Sequence, residues 1–232
     1  QAQLAIGTHA LIQDGIEFAN LGLAIIDEQH RFGVRQRLQF HHQQGQEAIY
    51  AHQLMMSATP IPRTLAMTYY ADLEVSVIDE LPPGRKPVVT KTLKDTRRNE
   101  VVQGIREELK KGRQAYWVCP LIEESEVLQL QTVVDTYEVL KRDLVEFQIG
   151  MIHGKMSSED KSTIMNDFKQ GVIHLLVSTT VIEVGVDVPN ASLMVIEHAE
   201  RFGYSQIHQL RGRVGRGEAE SVCILLYGDQ LS

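Results

Sequence analysis

At 232 residues the chain has room for one large domain or two small ones. Its 43% hydrophobic and 23% charged residues exclude a disordered or fibrous protein. There is no apolar run near the roughly 20 residues that cross a bilayer, and no basic-then-apolar leader pattern, so a cytoplasmic location is expected. The net charge of −7 and pI near 5.7 exclude a uniformly basic nucleic-acid binder but not cations gathered locally in a cleft.

Short apolar runs alternate with amphipathic stretches, which predicts an α/β protein with a mostly parallel sheet. In the first part QLAIGTH, LGLAIIDEQH, HQLMMSATP and DLEVSVID read as strands, with GVRQRLQFHHQQ and IPRTLAMTYY as helices between them. LPPGRKP, residues 81–87, reads as a linker, because three prolines and a glycine continue neither a helix nor an interior strand. The expected division is therefore 1–83 and 84–232. In the second part the predicted strands are PVVTKTL, QAYWVCPL, FQIGMIHG, HLLVSTT, SLMVIEHA and SVCILLY. The predicted helices are TRRNEVVQGIREELKKG, the stretch from Val127 to Leu144, SSEDKSTIMNDFKQG and YSQIHQLRGRVG. Ser157 with Asp160 forms an N-cap signal and Gly171 a helix stop. Cys119 and Cys223 each sit inside an apolar run and read as core residues.

Ligands of open α/β sheets bind at the carboxyl ends of strands, and the chemistry-bearing residues fall there. Asp27 and Glu28 end the run LGLAII; they are either a charged turn or a pair that divides phosphoryl-transfer labour. In the second case Asp27 holds Mg²⁺ through water and Glu28 activates the attacking water. Ser57 and Thr59 in SATP serve either as a helix cap or as sensors of a bound nucleotide. Arg213 and Arg216, three apart, share one face if the helix continues through them. Two guanidiniums on one face call for an anion between them, a triphosphate or a nucleic-acid backbone. Gly185 and Asp187 follow the hydroxyls of STT, and His153 ends another strand; these suit sugar and phosphate contacts or are plain polar turns. GMIHGKM is one residue short of a phosphate-binding loop and has Met156 in place of the metal-binding hydroxyl, so it is not one. The scattered histidines lack the helical pair or Cys partners of a zinc site.

In this order and spacing the motifs resemble those of superfamily 2 helicases. DEQH resembles the Walker B box, SATPIPRT motif III, STTVIEVGVDVP motif V and QLRGRVGRG motif VI. DEQHRFGVRQR, SATPIPRTLAMT and FGYSQIHQLRGRVGRG are shared in outline by the RecG family and the transcription–repair coupling translocases. VIDELPPGRKPV, RQAYWVCPLIEESE and TTVIEVGVDVPNASLMVIE resemble the RecG family. The resemblance implies two RecA-like lobes clamping ATP, in an ATP-dependent helicase that remodels stalled forks and Holliday junctions in repair and recombination. Asp27, Glu28, Arg213 and Arg216 would be catalytic, with Mg²⁺ on Asp27, and Gly185, Asp187 and Gln209 would hold the nucleotide. His30, Ser57 and Thr59 would couple hydrolysis to lobe movement, and Thr8, His153 and Thr180 would grip DNA.

The resemblance also implies a complete second lobe but only the back half of the first, without its phosphate loop. On that expectation the chain alone is inactive, and its uncovered half-sheet self-associates. The alternatives are a transcription–repair coupling-type translocase and a degenerate lobe that binds DNA or a partner without hydrolysis.

Overall fold

A computed structural model of the chain describes residues 3–12, 16, 18–28, 51–57, 74–120, 126–179, 187–217 and 219–228. It divides into two compact units, Gln1–Val75 and Ser76–Ser232.

In the first unit the strands β1 (Leu23–Ile26) and β2 (His52–Met55) pair in parallel, Leu23 opposite His52 and Ile26 opposite Met55. Ala24 and Ile26 are buried, while Leu23, Ile25 and Leu54 share the opposite face and stay 53%, 59% and 50% exposed. Two predicted strands are absent. QLAIGTH is irregular up to Thr8 and runs into a 3-10 turn, His9–Ile12. Residues 74–79 of DLEVSVID are likewise irregular, and Val77 and Ile78 are 78% and 94% exposed. A strand is held by a neighbour and a covered face, and local alternation supplies neither. The two helices predicted in this part lie outside the described residues.

The second unit holds one sheet of six parallel strands in the order β3-β8-β7-β4-β6-β5. The strands are β3 (Val89–Lys94), β4 (Gln114–Val118), β5 (Ile149–Ile152), β6 (Leu175–Ser178), β7 (Ala191–Ile196) and β8 (Val222–Tyr227). The helices are α1 (Arg98–Lys110), α2 (Glu126–Asp143), α3 (Ser158–Lys169) and α4 (Tyr204–Arg211). Side-chain alternation along each strand builds a core on each face. Ala115 and Trp117 of β4, Leu175 and Val177 of β6, and Leu193 and Val195 of β7 pack with Val101 and Ile105 of α1 and Val133 and Leu140 of α2. Tyr116 and Val118, Leu176, and Met194 and Ile196 pack with Met165 and Phe168 of α3 and Leu210 of α4. This is the doubly wound arrangement expected of continuous apolar strands. Cys119 and Cys223 are fully buried in these two cores, and burial pushes both thiols up, Cys223 to about 12.

Local signals set the helix limits. Ser157 caps α3 by accepting from the Asp160 amide at 3.0 Å, and Gly171, at φ 79°, ends it. LPPGRKP is not a free linker. Pro82 to Arg85 close a turn in which the Arg85 amide donates to the Pro82 carbonyl at 3.1 Å and Gly84 takes φ 81°. The residues after it lead into β3, so the segment is folded into the second unit.

Two stability outcomes follow. Phe168→Ala empties a fully buried site that meets Tyr116 edge-on at 4.9 Å, and lowers the unfolding free energy by roughly 3–5 kcal/mol in urea titration; Ser157→Ala lowers it by about 1 kcal/mol. The apolar face of Leu23, Ile25 and Leu54 gives concentration-dependent association in light scattering, which Ile25→Asp reduces; a monodisperse monomer would count against this.

Candidate nucleotide and nucleic-acid site

In the first unit Asp27 and Glu28 leave the carboxyl end of β1, and Ser57 stands at the matching end of β2. The Met56 amide donates to the Ile26 carbonyl at 2.8 Å, so the pairing carries on to these residues. Asp27 Oδ1 accepts from the Glu28 amide at 2.8 Å. Glu28 is left-handed, at φ 51°, a conformation a glutamate adopts only when its surroundings hold it there. Asp27 is exposed and its second carboxylate oxygen, Oδ2, is the hard donor that suits Mg²⁺. Among the described residues no group of three or more His, Cys, Asp or Glu could hold a metal. Asp27 thus fits Mg²⁺ held by one carboxylate, with water and substrate phosphates completing the shell. Thr8 stands exposed at the start of the 3-10 turn, its carbonyl accepting from the Leu11 amide at 3.0 Å. His30, Thr59, Thr180 and Gly185 lie outside the described residues.

In the second unit the arginines are not on a helix. α4 stops at Arg211 with Gly212 as its cap, and residues 212–217 form a loop, which corrects the expected helical face. The glycines that weaken a helix are what this loop requires. Gly215 is left-handed at φ 76°, and a Cβ there would lie 2.7 Å from Val88 Cγ2. A Cβ on Gly217 would lie 2.5 Å from the Pro189 carbonyl oxygen. Val188 and Val214, both fully buried, enter the same core cluster as Tyr116 and so draw their neighbours together. Arg216 Nη1 lies 3.4 Å from Asp187 Oδ1, and its Nε donates to the Gly212 carbonyl at 3.1 Å. Their side chains are 32% and 56% exposed, which makes the ion pair worth no more than about 1 kcal/mol and readily exchanged for another anion. Arg213 is half-buried beside it, and Gln209 is half-buried in the last turn of α4.

The Tyr116 phenol belongs to this cluster. Burial pushes it up to about 12; the Arg213 and Arg216 cations oppose the rise and the Asp187 carboxylate adds to it. The hydroxyl is therefore neutral at pH 7, a fixed dipole within the field of all three groups.

At the carboxyl ends of β6 and β5, the two strands beyond β4, lies a second feature. His153 Nδ1 after β5, and Ser178 Oγ and Thr179 Oγ1 at the end of β6, are buried without a hydrogen-bond partner. They are neighbours, because Ile152 pairs with Ser178 and the Thr179 amide donates to the Ile152 carbonyl at 3.3 Å. Burial, and then the Lys161 and Lys155 ammonium groups, hold the His153 pKa below the usual histidine range. Each unpaired buried group costs about 1–3 kcal/mol, which a ligand that bonds it can recover. By contrast Glu197, at the end of β7, is fully engaged. It accepts from Trp117 Nε1 and Arg98 Nε at 3.0 Å and from Thr136 Oγ1 at 3.4 Å, while the Arg98 guanidinium stacks over Trp117 at 4.7 Å. This network fixes the turn at His198, φ 50°, from which the chain enters α4.

The structure brings Asp187, Arg213 and Arg216 together, and sets His153 apart from them beside Ser178 and Thr179. Sequence reasoning places Thr179 among the strand-end hydroxyls suited to sugar and phosphate contacts, and misses Tyr116 and Ser178. The hydroxyls of STT were the visible signal for Ser178 and Thr179; nothing in QAYWVCPL distinguished the tyrosine from its apolar neighbours.

Residues 96–218 match the helicase conserved C-terminal domain. The ATP-dependent DNA helicase RecG of Escherichia coli O157:H7 is 58% identical over 233 residues, covering 100% of this chain and 34% of that protein. RecG of Thermotoga maritima is 53% identical, covering 99% of this chain and 29% of its own length. The chain thus spans about a third of the length of the curated relatives it matches. A solved structure of RecG bound to a three-way DNA junction is similar at a TM-score of 0.72 and 49% identity, over 97% of this chain and 28% of that one. S. cerevisiae Dbp5 bound to RNA and ADP BeF3 shares the fold at a TM-score of 0.61 and 15% identity, over 93% of this chain and 55% of that one. The fold is the RecA-like one of superfamily 2 helicases. With more than half of its residues inside the matched domain, the chain belongs to the helicase conserved C-terminal domain family.

Proposed function

We propose that the chain is the part of an ATP-driven DNA helicase that closes over the nucleotide and grips the DNA, and that its substrates are forked and branched DNA met in repair and recombination. The observation that carries this reading is the glycine-tight loop that holds Arg213 and Arg216 beside Asp187. Two cations on a short rigid loop, one of them only weakly paired, suit an anion with the charge of a triphosphate. The RecG relatives and the RecG structure bound to a three-way junction support the choice of branched DNA. We place the protein in the cytoplasm, with its ATP and DNA.

In this reading Asp27 holds Mg²⁺ through water, and the ion supplies charge neutralisation on the β- and γ-phosphates. Glu28 orients the attacking water and takes its proton. Arg213 and Arg216 stabilise the charge that develops on the transferred phosphoryl group. Asp187, Gly185 and Gln209 hold the nucleotide. Asp187 releases Arg216 at little cost when the phosphates arrive, because the exposed pair is weak. His30, Ser57 and Thr59 carry the change of nucleotide state into lobe movement. Thr8, His153 and Thr180, with Ser178 and Thr179, bond the DNA backbone, whose phosphate oxygens accept from the buried groups at the β5 and β6 ends.

By itself the chain leaves Mg-ATP intact. Joined in frame to a first-lobe segment with a phosphate-binding loop, it hydrolyses ATP with stimulation by forked DNA. In that protein Arg213→Ala and Arg216→Ala each lower kcat by roughly 10³-fold; unchanged turnover in both would defeat the motor reading. For the DNA contacts, fluorescence anisotropy with a labelled fork on the chain itself gives a binding constant that Thr179→Ala weakens by about fivefold, the worth of one hydrogen bond. Binding also tightens as pH falls below the histidine range, since phosphate favours protonated His153, and His153→Ala flattens that slope.

A further inference from the structure

The loop that carries the arginines has three anchors. Val214 is sunk in the core and Gly217 is pressed against Pro189. The third comes from 130 residues earlier in the chain: Arg85 Nε donates to the Gly215 carbonyl at 2.9 Å. That carbonyl belongs to the residue between Val214 and Arg216, so the bond holds the peptide from which the Arg216 side chain departs.

The local structure around Arg85 is built for this contact. Pro83 fixes the second position of the Pro82–Arg85 turn and Gly84, at φ 81°, the third, so the turn returns the backbone at a set angle. Arg85 is half-buried, which shields its bond from water. Val88 then packs where a Cβ on Gly215 would stand, and the Val89 amide donates to the Ser221 carbonyl at 2.9 Å as β3 begins to pair with β8. Lys86 lies 3.8 Å from Glu220, an exposed pair that adds little. Residues 85–89 therefore run alongside 215–221, with Arg85 at the point nearest the arginines. In sequence, the same segment is the entry from the first unit to the second.

We propose that Arg85 is a positioning residue for the arginine pair: through the Gly215 carbonyl it sets the conformation of residues 212–217, and so the direction in which Arg213 and Arg216 point. The catalytic consequence rests on the reading that those arginines meet a triphosphate; the positioning itself does not. Arg85 touches no substrate.

The test is ¹⁵N NMR on the whole chain, following the side-chain Nε–H of Arg85 and Arg216, the amides of residues 212–217, and the Trp117 indole N–H as a reporter of the intact core. In the unaltered chain the Arg216 Nε–H, bonded to the Gly212 carbonyl, exchanges slowly. Arg85→Ala speeds that exchange at least tenfold and shifts the 212–217 amides, while the Trp117 indole stays in place. Arg85→Lys restores part of the protection, because an ammonium can reach the carbonyl but lacks the fixed direction of the guanidinium Nε. Gly84→Ala, which strains the turn and leaves both partners present, produces a smaller change in the same direction and answers the question if Arg85→Ala does not fold. Unchanged Arg216 exchange in both Arg85→Ala and Gly84→Ala overturns the proposal. Mg-ATP titrated into the chain joined to a first-lobe segment with a phosphate-binding loop separates the two readings: if it moves neither Arg213 nor Arg216 while Arg85→Ala still frees them, the triphosphate assignment falls and the positioning role stands.

Discussion

Because all six strands of the second unit run parallel, every one of them delivers its carboxyl end to the same edge of the sheet. Both faces are sealed by helices, so the only place where polar side chains can reach a ligand from the strands is that edge. The positions of His153, Ser178, Thr179 and Glu197 follow from this constraint, whereas Asp187 precedes β7 and lies toward the opposite, amino-end edge. The arginine loop lies at that amino-end edge with Asp187, held by the core through Val214 and by the segment entering β3 through Gly215.

The edge treats its polar groups in two ways, and the difference is informative. Glu197 is half-buried at the end of β7 with an indole, a guanidinium and a hydroxyl bonded to its carboxylate. A carboxylate satisfied to this degree stabilises what it touches and resists change; it ties α1, α2 and β4 to the turn that begins α4. His153, Ser178 and Thr179 are left with bonds unmade. A native core tolerates such groups when something outside the fold completes them. Stability is thus concentrated around Glu197, while the β5 and β6 ends keep buried polar groups without partners.

The overall acidity of the chain and its assignment to an anionic substrate are compatible on physical grounds. Screening confines the influence of surface carboxylates to about 8–10 Å at ordinary ionic strength, so Arg213 and Arg216 set the potential around their own loop, and Lys155 and Lys161 set it around His153. Asp187 offsets the charge of Arg216 through their 3.4 Å pair. A net charge of −7 then limits non-specific adhesion to nucleic acid and leaves contact to the local geometry.

The sequence by itself determined the six-strand unit, because continuous apolar runs such as QAYWVCPL and SLMVIEHA must be covered on both faces, and caps such as Ser157 act within four residues. It also made Asp187, Arg213, Arg216 and His153 visible as candidates, since strand ends and short glycine spacings are local features. It misread QLAIGTH and DLEVSVID as strands, since alternation is local but the neighbour that stabilises a strand is not. It ran α4 through Arg213, because helical spacing does not register that Gly215 and Gly217 must lie against Val88 and Pro189. Only the tertiary structure decided that Tyr116 lies beneath the arginines and that Arg85 holds their loop. Both depend on contacts between residues far apart in the chain, and no local pattern of hydrophobicity or charge carries information about which distant backbone atom a side chain will meet.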